Sequence, residues 1–255
     1  MPRLAAVGAL VVGAATALGA CSGGKPISIR PPTTTTLPPT VVELEPSRAV
    51  VAEVLERAAV VLRRRVELAG ATGSVAVVPG GVEARVDAGA GQARAVAVLS
   101  RTGRVLFRPV LMPRDVGDCP ATSPDRELAN RPATLVEQQG GHTVACFALG
   151  PSELDNAVVD TTRATQEPTD GSWQVELTFT AKGTHDFDAM AARYIGRQIA
   201  IDLDAVVLSA PTVQTADFNG RAIVRPFSDE DEARRVAVLL GSGALPVSLR
   251  PRSAP

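Results

Sequence analysis

The fold is decided by residues 198–213, which read QIAIDLDAVVLSAPTV. The runs 198–203 and 206–208 are rich in aliphatic and β-branched residues, a composition that favours strands. Asp204 and Ala205 stand between the two runs, and a two-residue connection joins strands in a tight hairpin. The stretch therefore predicts an antiparallel β-hairpin.

Outward from this hairpin, strands and helices alternate through the second half of the chain. Residues 173–180 read WQVELTFT, and this alternation of apolar and polar residues indicates a strand with one buried face. A helix is predicted over 187–194 and a further strand over 222–224. Ser228 begins a Ser-Asp-Glu-Asp run that is typical of a helix start, so a helix is expected from there to Leu240.

The first half of the chain predicts a helix, two strands, a short helix and a strand. The first helix is expected from a cap at Ser47 to Leu68, with Gly70 ending it. Its apolar face is formed by Val51, Val54, Leu55, Ala58, Val61 and Leu62. The following elements are expected at 74–78, 82–86, 92–99 and 104–111. This order is typical of an α+β fold of the ferredoxin-like sort, and the weakly periodic residues 114–141 are interpreted as a long loop.

The N-terminus has the pattern of a bacterial lipoprotein signal. Arg3 precedes an uncharged run over 4–20, which is typical of a secretory signal and marginal for a transmembrane helix. The run ends Leu18-Gly19-Ala20-Cys21, which resembles the lipobox, where the cysteine carries a lipid. We therefore expect a signal peptide over 1–20 and a lipid-anchored Pro/Thr-rich linker over 21–45. An uncleaved anchor helix or an ordinary signal are the alternatives.

Two further cysteines, Cys119 and Cys146, form an even pair in a chain that is expected to be exported. In an oxidising compartment such a pair indicates a disulfide. A metal or redox site is disfavoured, because the sequence has neither a CxxC pair nor two neighbouring histidines.

Several ordered motifs resemble the extracytoplasmic domain of the protein-export subunit SecD. They are Phe107-Arg108-Pro109-Val110, Cys146-Phe147-Ala148-Leu149-Gly150-Pro151, the stretches 173–180, 198–204 and 209–213, and Gly243-Ala244-Leu245-Pro246. The resemblance runs from Pro46 to Val247. It departs from the family at Leu203-Asp204-Ala205, where SecD usually has Leu-Asp-Gly.

The resemblance implies a ferredoxin-like base with an inserted α+β head subdomain. The base-like part is expected over 46–112, and the head with the return to the base over 113–250. In SecD, the proton-coupled transmembrane helices follow the Gly-Ala-Leu-Pro motif. Here the sequence ends nine residues after Pro246, so we expect the proton-coupled channel to be absent.

The function that the resemblance implies is binding without catalysis. We expect a lipoprotein on the extracytoplasmic face of the cell membrane that binds unfolded exported polypeptide or the Sec translocon (SecDF, SecY). An apolar groove or a sheet edge would hold such a chain, and the residues expected there are Phe187, Ile199, Ile201, Val207 and Val213. The alternative for these residues is that they build the core. The alternative functions are an interaction module for cell-envelope assembly unrelated to export, and an unrecognised hydrolase.

Composition and motifs disfavour other classes of function. The formal net charge is −1 and 3% of the residues are aromatic, which argues against a nucleic-acid surface. The only histidines, His142 and His185, lie in no metal-ligand pattern, and no cofactor or metal is expected. Asp202 and Asp204 lie two apart on one strand, where a structural or solvent-facing role is expected rather than a catalytic one.

Overall fold

The computed structural model describes residues 38–119, 129–139 and 141–252. Within these ranges the chain forms four α-helices and thirteen strands. The helices are α1 (Ala52–Leu68), α2 (Gln92–Leu99), α3 (Ala181–Arg193) and α4 (Glu230–Ser242). The strands are β1 (Thr40–Pro46), β2 (Gly73–Val78), β3 (Gly81–Val86), β4 (Val105–Arg114), β5 (Ala133–Gln139), β6 (His142–Leu149), β7 (Leu154–Asp155), β8 (Val159–Gln166), β9 (Trp173–Phe179), β10 (Ile199–Leu203), β11 (Val206–Ser209), β12 (Arg221–Phe227) and β13 (Leu249–Pro251). The mixture confirms the predicted α+β class.

The first sheet has the strand order β13-β1-β3-β2, and all its pairs are antiparallel. Helices α1 and α2 pack against it, and both also contact α4. Apolar side chains of the strands and of α1 are fully buried between these layers, among them Leu44, Leu62, Val82 and Val86. The last strand, β13, pairs with the first, so the two ends of the folded region are joined in one sheet.

The second sheet closes into a ring of five strands, β10-β11-β5-β6-β4, because β10 also pairs with β4. Strand β7 adds to β4 outside the ring. A separate apolar cluster belongs to this ring, and its buried members are Val110, Leu135, Phe147, Leu149, Ala200 and Val207. Side chains on one face of β10, such as Ala200, lie in this cluster. Those on its other face, such as Ile201, belong to the larger hydrophobic cluster of the protein, here called the main core.

The third sheet has the order β12-β9-β8, and α4 packs closely against it. The alternation predicted for 173–180 is confirmed at Val175, Leu177 and Phe179, which are buried, but the polar Gln174 departs from it and is buried as well. Helix α4 approaches β8 at Gly241, where a Cβ would lie 2.4 Å from the hydroxyl of Thr162. Because only glycine leaves this space free, α4 can pack this closely against β8.

Two strands lie where the sequence interpretation placed irregular chain. Residues 133–139 form β5, within the range interpreted as a long loop, and Thr40–Pro46 form β1, which overlaps the end of the range 21–45 assigned to the linker. Strand β4 continues to Arg114 and so crosses the predicted boundary between base and head at 112/113. That division of the chain stays a prediction.

Three helix starts differ from the expected ones. Helix α1 begins at Ala52 rather than after Ser47, and Val51 is exposed as its N-cap. Helix α3 begins at Ala181, six residues before the expected start, because the Thr180 hydroxyl accepts a hydrogen bond from the Gly183 N–H at 2.9 Å. Helix α4 is capped by Asp229, whose carboxylate accepts from the N–H of the third helical residue, rather than by the preceding serine.

A disulfide joins Cys119 and Cys146, the predicted pair, with their Cα atoms 6.1 Å apart. Cys119 follows a short 3₁₀ helix at the end of β4, and Cys146 lies opposite Arg114 in the β4–β6 pairing. The bond therefore fastens the segment after β4 to β6.

The predicted signal peptide, the lipidation site Cys21 and the linker up to residue 37 lie outside the described residues. In the part of the chain that is described, no helix has the length and apolar character needed to cross a bilayer.

The hairpin between β10 and β11 is confirmed, and its turn uses left-handed backbone at two non-glycine residues. Asp204 has φ 51° and Ala205 has φ 67°, the conformations that a two-residue type I′ turn needs. The Asp204 carboxylate accepts hydrogen bonds from the Gly103 and Arg104 N–H groups at 3.1 and 2.9 Å. The Ala205 side chain is a methyl group that makes no hydrogen bond, so the left-handed backbone at this residue costs about 1 kcal/mol.

Replacing this alanine with glycine is therefore expected to stabilise the protein. Ala205→Gly removes the Cβ that disfavours positive φ, and the free energy of unfolding measured by urea denaturation should rise by about 1 kcal/mol. The matched control is Ala71→Gly, outside any element and without positive φ, which should not stabilise. An unchanged or lower stability of Ala205→Gly would show that the turn carries no strain.

Candidate functional site

An apolar groove lies between the end of β11, the segment that follows it, and β12. Its cavity volume is about 460 Å³, within the usual range for ligand pockets. The floor comes from α3 and β10. The lining residues are Phe187, Ile199, Ile201, Ser209, Pro211, Thr212, Val213, Phe218, Arg221, Ala222 and Ile223. Arg221 is the one ionisable side chain among them, so the groove suits an apolar ligand.

Phe187 organises the floor of the groove. Its ring lies 4.7 Å from that of Phe179 and 5.7 Å from that of Phe107, measured between centroids. On the groove side it meets Phe218 edge to face, with the centroids 4.9 Å apart. Such aromatic pairs stabilise beyond the area they bury. The floor is therefore a rigid surface continuous with the main core.

The rim is formed by side chains that solvent can reach. Ile223 on β12 is 45% exposed, and Phe218 is half-buried. The Asp188 carboxylate accepts a hydrogen bond from the Phe218 N–H at 3.1 Å, which fixes the loop before β12 against α3. The rim thus presents an aliphatic and an aromatic side chain over the phenylalanine floor.

Two stretches of extended backbone border the groove. The segment after β11 runs beside the chain that enters β10, with the Val213 N–H donating to the Arg197 carbonyl at 2.8 Å. Strand β12 pairs with β9 along one edge, and no other described strand pairs with it. An unpaired edge beside an apolar groove is the arrangement in which proteins accept an extended peptide as an added strand.

The structure brings four of the five expected binding residues together. Phe187, Ile199, Ile201 and Val213 all line the groove, but only 2–4% of each is exposed, so they form its floor. Val207 lies elsewhere: it is fully buried in the cluster of the five-stranded ring and does not line the groove.

The rim residues Phe218 and Ile223 were missed by the sequence interpretation. Ile223 falls in the predicted strand 222–224. An apolar residue on the strand that follows the hairpin could have indicated a position at the groove. Phe218 lies in the loop before β12, where no periodicity indicates that it would return to the groove.

A buried ion pair lies on the other face of β10. The Arg108 Nε donates to the Asp202 carboxylate at 3.0 Å, and both side chains are at most 2% exposed. Arg108 also donates to the Arg131 and Gly150 carbonyls, each at 2.9 Å. Burial raises the pKa of Asp202 to about 7, although Arg108 acts to lower it. Asp202 is therefore a buried structural residue rather than a solvent-facing one.

The described residues include no group of three or more His, Cys, Asp or Glu side chains placed to hold a metal ion. His185 is 85% exposed on the side chain and its nearest ionic partner is Asp186. Hydrogen bonds from Lys182 and His185 lower the pKa of Asp186 on this open surface. That the protein is not an enzyme stays a prediction.

Comparison with protein families identifies the part of the chain that contains the groove. Residues 135–247 match the family described as the SecDF P1 head subdomain. Every residue that lines the groove falls within this range.

Relatives in sequence are subunits of the protein translocase. SecDF of Thermus thermophilus is 38% identical over 102 residues, which are 40% of this chain and 14% of that protein. SecD of Petrotoga mobilis is 27% identical over 217 residues, which are 77% of this chain and 45% of that protein. The chain thus spans less than half the length of these relatives.

Two solved structures share the fold. A structure described as that of SecDF, a membrane component that enhances protein export, superposes with a TM-score of 0.63 at 27% identity, covering 85% of this chain and 99% of that chain. SecDF in a super-membrane-facing form gives a TM-score of 0.64 at 26% identity, over 84% of this chain and 29% of that chain. The chain is therefore similar to the SecD-type extracytoplasmic domain, and residues 135–247 match its P1 head subdomain.

Proposed function

We propose that the groove holds an extended segment of exported polypeptide, or of a Sec translocon subunit, at the outer face of the cytoplasmic membrane. The observation that carries the proposal is the apolar groove beside the unpaired edge of β12, inside the region that matches the SecDF P1 head. In this proposal the protein binds and releases the chain and catalyses no reaction.

The chemistry of an unfolded chain fits this groove. Such a chain offers backbone N–H and C=O groups at every residue and apolar side chains at intervals. The edge of β12 would pair with the backbone, and the phenylalanine floor would receive one apolar side chain, with the Phe218 and Ile223 rim beside it. Backbone pairing needs no particular sequence, which suits a protein that receives many different chains.

Export is the process that the relatives indicate. SecDF and SecD are named protein translocase subunits, and SecDF is described as enhancing protein export. We propose a role in export for the groove alone, because the similarity covers only part of those proteins.

Ile223→Asp is expected to weaken binding of an unfolded polypeptide about tenfold or more, because a carboxylate at the rim must lose water when the groove fills. The measurement is the affinity of the purified full chain for a carboxymethylated, permanently unfolded polypeptide, by fluorescence anisotropy. Val41→Asp is the matched control: Val41 is 44% exposed on a strand of the first sheet, against 45% for Ile223. Equal affinities for the two variants and the unaltered chain would contradict a role for the groove.

The proposal also includes a lipid anchor at Cys21, on the basis of the lipobox-like sequence that ends in this cysteine. Cys21→Ser is expected to abolish incorporation of a radiolabelled fatty acid and to shift the protein from the membrane to the soluble fraction, because one thiol is the lipid acceptor. Cys119→Ser with Cys146→Ser is the control and should leave labelling unchanged. Retained labelling of Cys21→Ser would disprove the anchor.

A further inference from the structure

The free edge of β12 determines which backbone groups a bound chain can pair with. The Phe179 N–H donates to the Gly220 carbonyl at 2.8 Å, so the backbone of Gly220 points toward β9. Because successive residues of a strand direct their backbone groups to alternate sides, those of Arg221 and Ile223 point to the free edge. The Arg221 N–H already donates to the Phe218 carbonyl. An added strand would therefore pair with both backbone groups of Ile223 and with the carbonyl of Arg221.

The side chains of β12 alternate between the two faces of the sheet in the same way. Ala222 is buried in the main core beside the groove floor, whereas Arg221 and Ile223 are exposed on the other face. Every pair in this sheet is antiparallel. A strand added in that sense would place three successive residues opposite Ile223, Ala222 and Arg221. The middle side chain would point to the groove floor, and its two neighbours would lie beside the isoleucine and the arginine.

The Arg221 side chain carries a positive charge at the rim of the groove without an acidic partner. Its guanidinium makes no hydrogen bond or ion pair with another residue that the structure describes, and the uncharged Thr178 lies opposite it on β9. Glu176 is two positions away on β9, where it lies opposite Ile223 on one side and opposite Arg163 on the other. The Arg221 guanidinium is therefore available to an acidic group of the bound chain.

We propose, resting on the proposed function, that the groove favours exported segments in which a large apolar residue is followed directly by an acidic residue. The apolar side chain would fill the groove floor, and the carboxylate would pair with Arg221 at the rim. An aliphatic residue before the apolar one would contact Ile223. An exposed ion pair contributes little free energy, so Arg221 ranks the segments, while backbone pairing and the apolar side chain supply most of the affinity.

The test is fluorescence anisotropy of the purified full chain with short labelled peptides that differ at one position. Their central residues are Val-Phe-Glu, Val-Phe-Gln or Val-Phe-Lys between flanks of glycine and serine. We expect the Glu peptide to bind about threefold more tightly than the Gln peptide, and the Gln peptide about threefold more tightly than the Lys peptide, because exposed charge pairs have this strength. High salt should reduce these differences, since it screens exposed charges.

Arg221→Glu is expected to reverse the order, so that the Lys peptide binds about threefold more tightly than the Glu peptide. Arg163→Glu is the matched control and should leave the order unchanged. Arg163 is also an exposed arginine on this face of the sheet, but it lies on β8, at the edge away from the groove.

Equal binding of the three peptides by the unaltered chain would overturn the charge preference and leave the proposed function standing. The same holds if Arg221→Glu keeps the original order, or if Arg163→Glu reverses it as well. Binding of none of the peptides would contradict both the preference and the proposed function.

Discussion

Replacing Arg65 with methionine is expected to lower the free energy of unfolding by about 3 kcal/mol or more. Arg65 lies on α1 and is fully buried. Its guanidinium donates to the carbonyls of Val98 and Thr102 at 2.8 Å each, and to that of Gly243 at 3.3 Å. These acceptors lie at or just beyond the C-terminal ends of α2 and α4.

The reason for the large effect is the set of carbonyls that the variant leaves without a donor. The last carbonyls of a helix have no partner within the helix, and they are the negative end of its dipole. Burial lowers the pKa of Arg65 to about 10, which shows that the position also has a desolvation cost. Methionine removes that cost, but each buried carbonyl left unpaired costs about 1–3 kcal/mol. The lost hydrogen bonds therefore outweigh the saved desolvation cost, and the variant is less stable.

The measurement is urea denaturation of the full chain followed by circular dichroism. Arg65→Lys is expected to fall between the wild type and methionine, because an ammonium cannot reach two helix ends with fixed donors. Arg64→Met is the control: Arg64 is exposed on the same helix, and its side chain makes one hydrogen bond among the described residues, to the Asp160 carbonyl, so its loss should change stability by less than about 0.5 kcal/mol. Equal stabilities of Arg64→Met and Arg65→Met would contradict this account.

Replacing Arg108 with methionine is expected to cost about 3 kcal/mol at pH 8, because it leaves the Asp202 carboxyl buried without its partner. The cost should be smaller at pH 5. The pKa of Asp202 in the folded protein is raised from 3.8 to about 7, so at pH 5 the carboxyl is already protonated and neutral. In the wild type, the stability linked to this raised pKa is greatest below about pH 4 and is lost as the pH rises through 7.

A double variant tests whether the loss of stability comes from the unpaired Asp202 carboxyl. Arg108→Met with Asp202→Leu should recover much of the stability lost by the single variant, since apolar residues tolerate this interior. Arg85→Met, which breaks the exposed pair with Glu83, is the control and should cost less than about 1 kcal/mol. A cost for Arg108→Met that is small and independent of pH would show that the buried pair has no such role.

Local patterns made much of the fold predictable. The strands at 173–180 and on either side of Asp204 and Ala205 can be predicted from residues that are adjacent in sequence, by the alternation in the first case and the two-residue turn in the second. The motifs that resemble SecD include these two elements, and they also contain Ile199 and Val213, which form part of the floor of the groove.

Features that depend on distant contacts were not predictable in this way. Strand β1 is completed by β13, whose three residues are too few to show a period, and β5 pairs along its length with β6 and also with β11, which lies far along the chain. Arg65 carried a usable signal, since it lies three residues after Leu62 on the apolar face of α1. A charged residue on that face indicates buried partners, but its acceptors at the ends of α2 and α4 appear only in the folded chain.

Photo-crosslinking in living cells from residues that line the groove tests whether the groove receives exported chains. A photoreactive amino acid at Thr212 or Ile223 would probe the groove. One at Val41, on the first sheet, would measure crosslinking that does not depend on the groove. We expect adducts with many secreted polypeptides or with Sec translocon subunits from Thr212 and Ile223 and not from Val41. Adducts with a single unrelated envelope protein, or equal labelling from all three positions, would contradict this expectation.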